Sequence, residues 1–209
     1  GRPIRIVVVE QPTRSQPETV ARTLEAVGFD EPFLVKDSDN TFAFALAPGE
    51  AAPETNLVCV DSLNNYDSIN PRNKSYVQVD HRGVVTNIRE KVVISDLFSV
   101  GGYGFLKPAQ FLDYYQRLVA GAAEWQRELY TSDVIGAMIL DGLPFRARQI
   151  TGYQDWGTVT EWRRALLQRR AYFVSLDGFL FERGSQHFAP RFADTRPHAA
   201  GSGTQLAIF

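Results

Sequence analysis

The acidic stretch Asp37-Ser38-Asp39-Asn40 offers the first chemistry in this sequence. It follows the apolar run Phe33-Leu34-Val35, which reads as a short buried strand, so two carboxylates at i and i+2 stand just past a strand end. Hard oxygen donors suit Mg²⁺, which takes one or two protein carboxylates and leaves substrate phosphates to complete its shell. In open α/β sheets, ligands bind outside the carboxyl ends of the strands, where this pair falls. An ordinary turn is the competing reading, because Asp, Ser and Asn dominate turns. A second acidic point is Asp155, in Tyr153-Gln154-Asp155-Trp156-Gly157-Thr158, and Arg89-Glu90-Lys91 lies between the two.

The elements that must position these groups are legible from apolar periodicity. Ile4 to Val9 is a continuous β-branched run, expected as a strand buried on both faces. A helix is expected from about Glu18 to Val27, opened by Ser15 or Gln16 with Pro17 and closed by Gly28. With Phe33 to Val35 this spells strand, helix, strand, the unit of a parallel sheet. Leu57 to Val60 reads as another buried strand. Tyr76 to Val79 and Val84 to Ile88 flank Asp80-His81-Arg82-Gly83 as a hairpin, with His81 solvated at its tip. Phe98 to Phe105 is a strand with three glycines, a sign of a bulge or close backbone approach. Helices follow at about Pro108 to Ala120 and at Ser132 to Leu140 with Ser132 as cap. Then come a strand at Phe145 to Ile150, a turn at Asp155 to Thr158, a basic amphipathic helix from Val159 to Arg170, and a last strand at Tyr172 to Leu176. The alternation argues an α/β fold with a hairpin insert.

Composition narrows the function classes. The 209 residues suffice for one sizeable core, and 44% hydrophobic with 22% charged residues is ordinary for a globular protein. A net charge of -2 gives no global electrostatic case for nucleic acid or for an anionic membrane. No apolar run is long enough to span a bilayer and no signal-peptide pattern opens the chain, so the expected location is the cytoplasm. Cys59, the single cysteine, reads as a small core residue. Trp125, Trp156 and Trp162 lack interleaved basic clusters and read as core or pocket wall rather than as base-stacking platforms. The Arg163, Arg164, Arg169 and Arg170 face reads as solvated, with an acidic partner as second choice.

Taken together, Asp39-Asn40, Glu90-Lys91, Gly101-Gly102-Tyr103-Gly104-Phe105, Glu128-Leu129-Tyr130-Thr131-Ser132-Asp133-Val134 and Asp155-Trp156-Gly157-Thr158 resemble the sugar-nucleotidyltransferase family, from about Ile4 to Leu166. The resemblance implies a Rossmann-like mixed α/β sheet flanked by helices, of the nucleotide-diphospho-sugar transferase type, over residues 1–170. It implies attack of a sugar-1-phosphate oxygen on the α-phosphorus of a nucleoside triphosphate, with pyrophosphate released, in sugar-nucleotide or surface-polysaccharide synthesis. Asp39 and Asp155 would be the Mg²⁺ ligands, and Lys91 would hold the sugar phosphate, so these three are the expected catalytic residues. Glu90 would meet sugar hydroxyls, Gly102 would let the backbone approach the sugar, and Asn40 and Trp156 join them as substrate-binding residues. Gln16, in the segment Pro12 to Val20, would lie on the nucleotide side, where a helix N-terminus suits phosphate. Solvated roles compete for Lys91 and Glu90. Asp37 either supports the metal ligands from behind or is a turn residue, and Asp133 is a first-turn carboxylate suited to the helix dipole.

The family's Gly-rich loop after its first strand, G-x-G-T-R with a downstream Pro-Lys, has no counterpart here. The expected sheet is therefore N-terminally incomplete, which exposes strand edges. A longer parent chain, a second chain or homo-oligomer that completes the sheet, or a remodelled non-catalytic sugar-nucleotide-binding or assembly subunit would each account for that. In residues 171–209, Tyr172 to Leu180 resembles the opening of a haloacid-dehalogenase-type phosphatase, with Ser175 at the nucleophile position and Asp177 retained. Gln205-Leu206-Ala207-Ile208-Phe209 resembles a sliding-clamp docking peptide, and a terminal strand or disordered end is the alternative.

Overall fold

The computed structural model describes residues 6–44, 54–66, 69–121 and 127–168. The phosphatase-like stretch from Tyr172 and the Gln205–Phe209 ending lie outside these residues. The chain divides into two units, Gly1–Trp162 and Arg163–Phe209, and the site described below belongs to the first.

Helix α1 (Gln16–Val27) starts where Ser15 accepts from the Glu18 amide at 3.3 Å, while the Glu18 carboxylate reaches back to the Arg14 amide at 2.7 Å. These bonds satisfy amides that a helix start leaves without partners. Gly28 closes the helix in the left-handed region. The strands are β1 (Phe33–Lys36), β2 (Asn40–Ala43), β3 (Asn56–Ser62), β4 (Ser75–Val79), β5 (Val85–Glu90), β6 (Leu97–Phe105), β7 (Phe145–Gln149) and β8 (Thr151–Asp155). Helices α2 (Pro108–Gly121), α3 (Thr131–Leu140) and α4 (Val159–Gln168) complete the described elements.

The main sheet runs β5-β4-β6-β3-β7, with β1 added alongside the far half of β6. It is mixed but mostly antiparallel, since only β3 and β7 pair in parallel. The expected parallel strand-helix-strand unit at the N-terminus is not formed, for two reasons. Residues 6–9 make no strand, with Ile6 84% and Val8 80% exposed, and β1 runs antiparallel to β6. An apolar, β-branched run becomes a strand only where a neighbour supplies a ladder, and no described strand lies beside this one. The hairpin β4–β5 forms as its alternation requires, with His81 exposed at the turn.

Strand β6 organises the core. Phe98 and Val100 pack on one face with Leu57, Cys59 and Tyr76, while Tyr103 and Phe105 pack on the other with Val58, Phe111 and Ile135. Between Val58, opposite Tyr103, and Val60, opposite Ser99, the register slips and β6 bulges. The slip inserts an even number of residues, so the side chains keep their faces on either side of it.

Helix α3 begins at Thr131 rather than at a Ser132 cap. Asp133 accepts from the Tyr130 amide at 2.8 Å and pairs with Arg127, so the first-turn carboxylate has the capping role that suits the helix dipole.

Phe105 is 2% exposed, stacked on Phe33 at 5.2 Å and edge-on to Phe111 at 4.9 Å. Urea unfolding of Phe105→Ala is expected to show a loss of about 3–5 kcal/mol. His81→Ala at the hairpin tip should change stability by less than about 0.5 kcal/mol.

Candidate active site

The β6 bulge opens a gap into which the end of β1 folds. The Asp37 amide donates to the Gly101 carbonyl at 2.8 Å, which turns the chain past β1 and plants the Asp37 carboxylate against the bulge. Gly101 has φ +77, and a Cβ there would overlap the Asp37 carboxylate and come within 2.8 Å of Asn40 Nδ2. Only glycine meets both demands. Gln16, in the first turn of α1, donates to Asp37 Oδ1, and its carbonyl accepts from Thr131 Oγ1 at 2.7 Å. One side chain thus ties the starts of α1 and α3 to the end of β1. Burial, together with the neighbouring Asp39 charge, pushes the Asp37 carboxyl up to about 7.

Beyond Asp37 the chain enters β2, which pairs antiparallel with β8 and sets Asn40 opposite Asp155. The Trp156 amide donates to the Asp39 carbonyl at 2.8 Å. The two acidic motifs, far apart in sequence, are thereby brought together on a short two-stranded ladder. Both carboxylates converge on Gly157: a Cβ there would lie 3.0 Å from Asp39 Oδ2 and 3.2 Å from Asp155 Oδ1. A larger side chain would wedge between them.

Asp155 Oδ1 accepts from the Gly157 amide at 2.9 Å, and Oδ2 is salt-bridged to Lys74, whose Nζ also donates to Tyr153 Oη at 2.9 Å. Burial works to raise the Asp155 carboxyl but is outweighed by Lys74 and the Gly157 amide, which hold it below its ordinary value. Burial, and next the Asp155 charge, raise the Tyr153 phenol. Lys36 donates to the Asn40 carbonyl at 2.9 Å and to its side-chain oxygen, fixing which way that amide points.

The same cavity, which encloses about 440 Å³, is lined by the groups at the end of β5. Glu90 accepts from Ser75 and, at 2.9 Å, from Ser132, so two hydroxyls orient its carboxylate. Lys91 has φ +56 and donates from Nζ to Tyr130 Oη at 2.7 Å, a bond that raises the ammonium's pKa. Its exposed side chain reaches over the Tyr130 ring at 4.5 Å.

The cavity therefore gathers Gln16, Asp39, Asn40, Glu90, Lys91 and Asp155 in one wall-to-wall arrangement. Two expected substrate residues stand elsewhere. Gly102 faces the core, where a Cβ would meet Phe42 at 2.7 Å and Cys59 Sγ at 2.9 Å, and Gly101 is the glycine that borders the cavity. Trp156 stacks edge-on with Trp162 at 6.1 Å and is not among the lining residues. Sequence reasoning missed Lys74 and Ser75, held Tyr130 only as part of the Glu128 to Val134 motif without a role of its own, and gave Ser132 a capping role. The signal for Lys74 was its place directly before an apolar strand, in a position that the hairpin register puts across from Glu90-Lys91.

Among the described residues no group of three or more His, Cys, Asp or Glu makes a closed metal cage. Asp39 and Asp155 present the donor set of a hard divalent cation that draws its other oxygens from water and phosphate, and this set fits Mg²⁺.

No protein-family model and no curated protein matches the chain. Solved structures do. A nucleoside-diphosphate-sugar pyrophosphorylase from Vibrio cholerae RC9 aligns with a TM-score of 0.61 and 26% identity over 77% of this chain and 68% of that one. A UDP-glucose pyrophosphorylase, solved with UDP-glucose, gives 0.58 and 17% over 78% and 66%. The inositol-1-phosphate CTP transferase from T. maritima gives 0.53 and 13% over 70% and 57%. The chain thus has the mixed α/β fold of nucleotide-diphospho-sugar transferases, its structural neighbours are nucleotidyltransferases, and it spans 57% to 68% of their lengths.

Substituting Gly101→Ala should cost about 1–3 kcal/mol through the left-handed backbone alone, with further loss from the overlap with Asp37. Thermal melting of the variant against the parent chain checks this, and an unchanged midpoint would remove the bulge from the account of the site.

Proposed function

We propose that this chain is the catalytic fold of a nucleotidyltransferase that joins a sugar-1-phosphate to a nucleoside triphosphate and releases pyrophosphate. The observation that carries this reading is the convergence of Asp39 and Asp155 on Gly157, in a cavity that Glu90 and Lys91 also line. Carboxylates suited to a cation and an ammonium suited to a phosphate thus line the same cavity.

In the reaction a phosphate oxygen of the sugar-1-phosphate attacks the α-phosphorus, and the bond from that phosphorus to the bridging oxygen of pyrophosphate breaks. Little covalent work falls to the protein, so rate comes from positioning and from charge neutralisation. Mg²⁺, held by Asp39 and Asp155, would neutralise the developing phosphate charge. Lys91, at the edge of the cavity, exchanges its bond to Tyr130 for the acceptor phosphate. Glu90, already aimed by Ser75 and Ser132, accepts from sugar hydroxyls. Gln16 and Asn40 serve the nucleotide side, where the start of α1 meets the end of β1. A nucleoside triphosphate donor is in keeping with a cytoplasmic reaction in sugar-nucleotide or surface-polysaccharide synthesis. No described helix is long and apolar enough to cross a membrane.

A second reading keeps the fold and its cavity without the reaction. On that reading the chain is a non-catalytic sugar-nucleotide-binding or assembly subunit, or it works with a second chain that completes the sheet.

Pyrophosphate release by the full chain, assayed with a panel of nucleoside triphosphates and sugar-1-phosphates, separates the two. Turnover should require a divalent cation and fall about 100-fold or more in Asp39→Asn and in Asp155→Asn, the scale of losing one electrostatic stabiliser. Full activity in either variant would sink the metal assignment. Calorimetric binding of nucleotide sugar without any turnover would favour the non-catalytic reading.

A further inference from the structure

Lys74 is the buried cation of the site. It is 8% exposed, stands at the threshold of β4, and carries its ammonium to Asp155 Oδ2 and to Tyr153 Oη at 2.9 Å. The ring of Tyr153 lies 5.3 Å from Nζ and that of Phe98 6.0 Å, so aromatic faces help to hold the charge. The Lys74 backbone carbonyl accepts from the Lys91 amide at 2.9 Å, which couples the two lysines of the cavity through one ladder bond. Five carboxylates, Asp37, Asp39, Glu90, Asp155 and Glu161, line the cavity against the two ammonium groups of Lys74 and Lys91.

A lone buried carboxylate is costly, and a salt bridge with hydrogen bonds on both partners relieves that cost. Asp155 is accordingly satisfied inside the protein before any ligand arrives. A divalent cation that binds Asp155 must share it with a neighbouring positive charge, which weakens binding of the bare ion. A triphosphate changes the balance, because it adds negative charge that the cation and the ammonium can both face.

We propose that Lys74 is a positioning residue that makes cation binding at Asp39 and Asp155 conditional on the polyphosphate. It acts as a resident counter-ion of Asp155, holding that carboxylate in place in the empty cavity and disfavouring a cation that comes without its nucleotide. This inference rests on the reading of Asp155 as a cation ligand, and the two fail differently.

The test is Mn²⁺ binding to the full chain, followed by electron paramagnetic resonance, with and without nucleoside triphosphate. Lys74→Met removes the charge; Lys74→Gln removes it while keeping a donor for Tyr153 and Asp155; Lys74→Arg keeps the charge. In the absence of nucleotide, both neutral variants should bind Mn²⁺ about tenfold more tightly or better, Lys74→Arg should stay near the parent chain, and saturating triphosphate should erase the gain. A merely structural lysine would not tighten metal binding on its removal. Unchanged or weaker Mn²⁺ binding in a folded neutral variant overturns the inference, as does an equal gain with and without triphosphate. Asp155→Asn is the control: loss of Mn²⁺ binding there upholds the ligand assignment whichever way Lys74 behaves. Mn²⁺ binding untouched in Asp155→Asn overturns the assignment and, with it, the role of Lys74.

Discussion

The pairing of β2 with β8 is the constraint on which the site depends. These strands span Asn40–Ala43 and Thr151–Asp155, and their ladder sets Asn40 opposite Asp155. Without it Asp39 and Asp155 would sit at the ends of separate loops, each solvated and neither able to share a ligand. The ladder is anchored at its Asn40–Asp155 end, on one strand by the β6 bulge through Asp37 and Gly101 and on the other by the salt bridge of Asp155 to Lys74. A short ribbon alone is marginal in water, so the main sheet has to supply the stability that the ribbon lacks. Core packing around Phe98 and Phe105 reaches the chemistry by this route.

Electrostatics explain why such a site tolerates its own charge. Five carboxylates in one cavity repel each other, and the protein meets that repulsion in distinct ways. Asp37 is pushed up to about 7 by burial and by Asp39, and it takes a donor from Gln16. Glu90 accepts two hydroxyls, while Asp155 takes an ammonium and a backbone amide. Asp39 is exposed to solvent. The uncompensated remainder is a surface that attracts cations, and an anionic substrate enters it most readily with a cation in attendance.

The motif residues were legible because their chemical types are unusual where they stand. An Asp-Asn after a strand and a Glu-Lys at a hairpin end have few purely structural reasons to occur in that order. The hairpin, β6 and the helices followed from alternation and caps. Strands β2 and β8 did not, because Asn-Thr-Phe-Ala and Thr-Gly-Tyr-Gln-Asp carry too little alternation to stand out, and their pairing is a tertiary fact. The same limit misled the reading at Ile4 to Val9, where composition is that of a buried strand but Ile6 and Val8 lie exposed. Which of three glycines would border the cavity turned on the bulge register, which no local pattern records. Lys74 was hidden by its ordinary setting in a polar stretch; its place across the hairpin register from Lys91 was the one signal, and its burial beside Asp155 shows its part in the site.

The account stands on Asp39 and Asp155 acting as one cation site next to a sugar-phosphate pocket. Anomalous diffraction from crystals of the full chain grown with Mn²⁺ and a nucleotide sugar tests this most directly. The account predicts one strong peak within coordination distance of both carboxylates, with the ligand's phosphates completing the shell and its sugar lying toward Glu90. A peak bound elsewhere, or a nucleotide sugar seated in the cavity with no metal between Asp39 and Asp155, would contradict it.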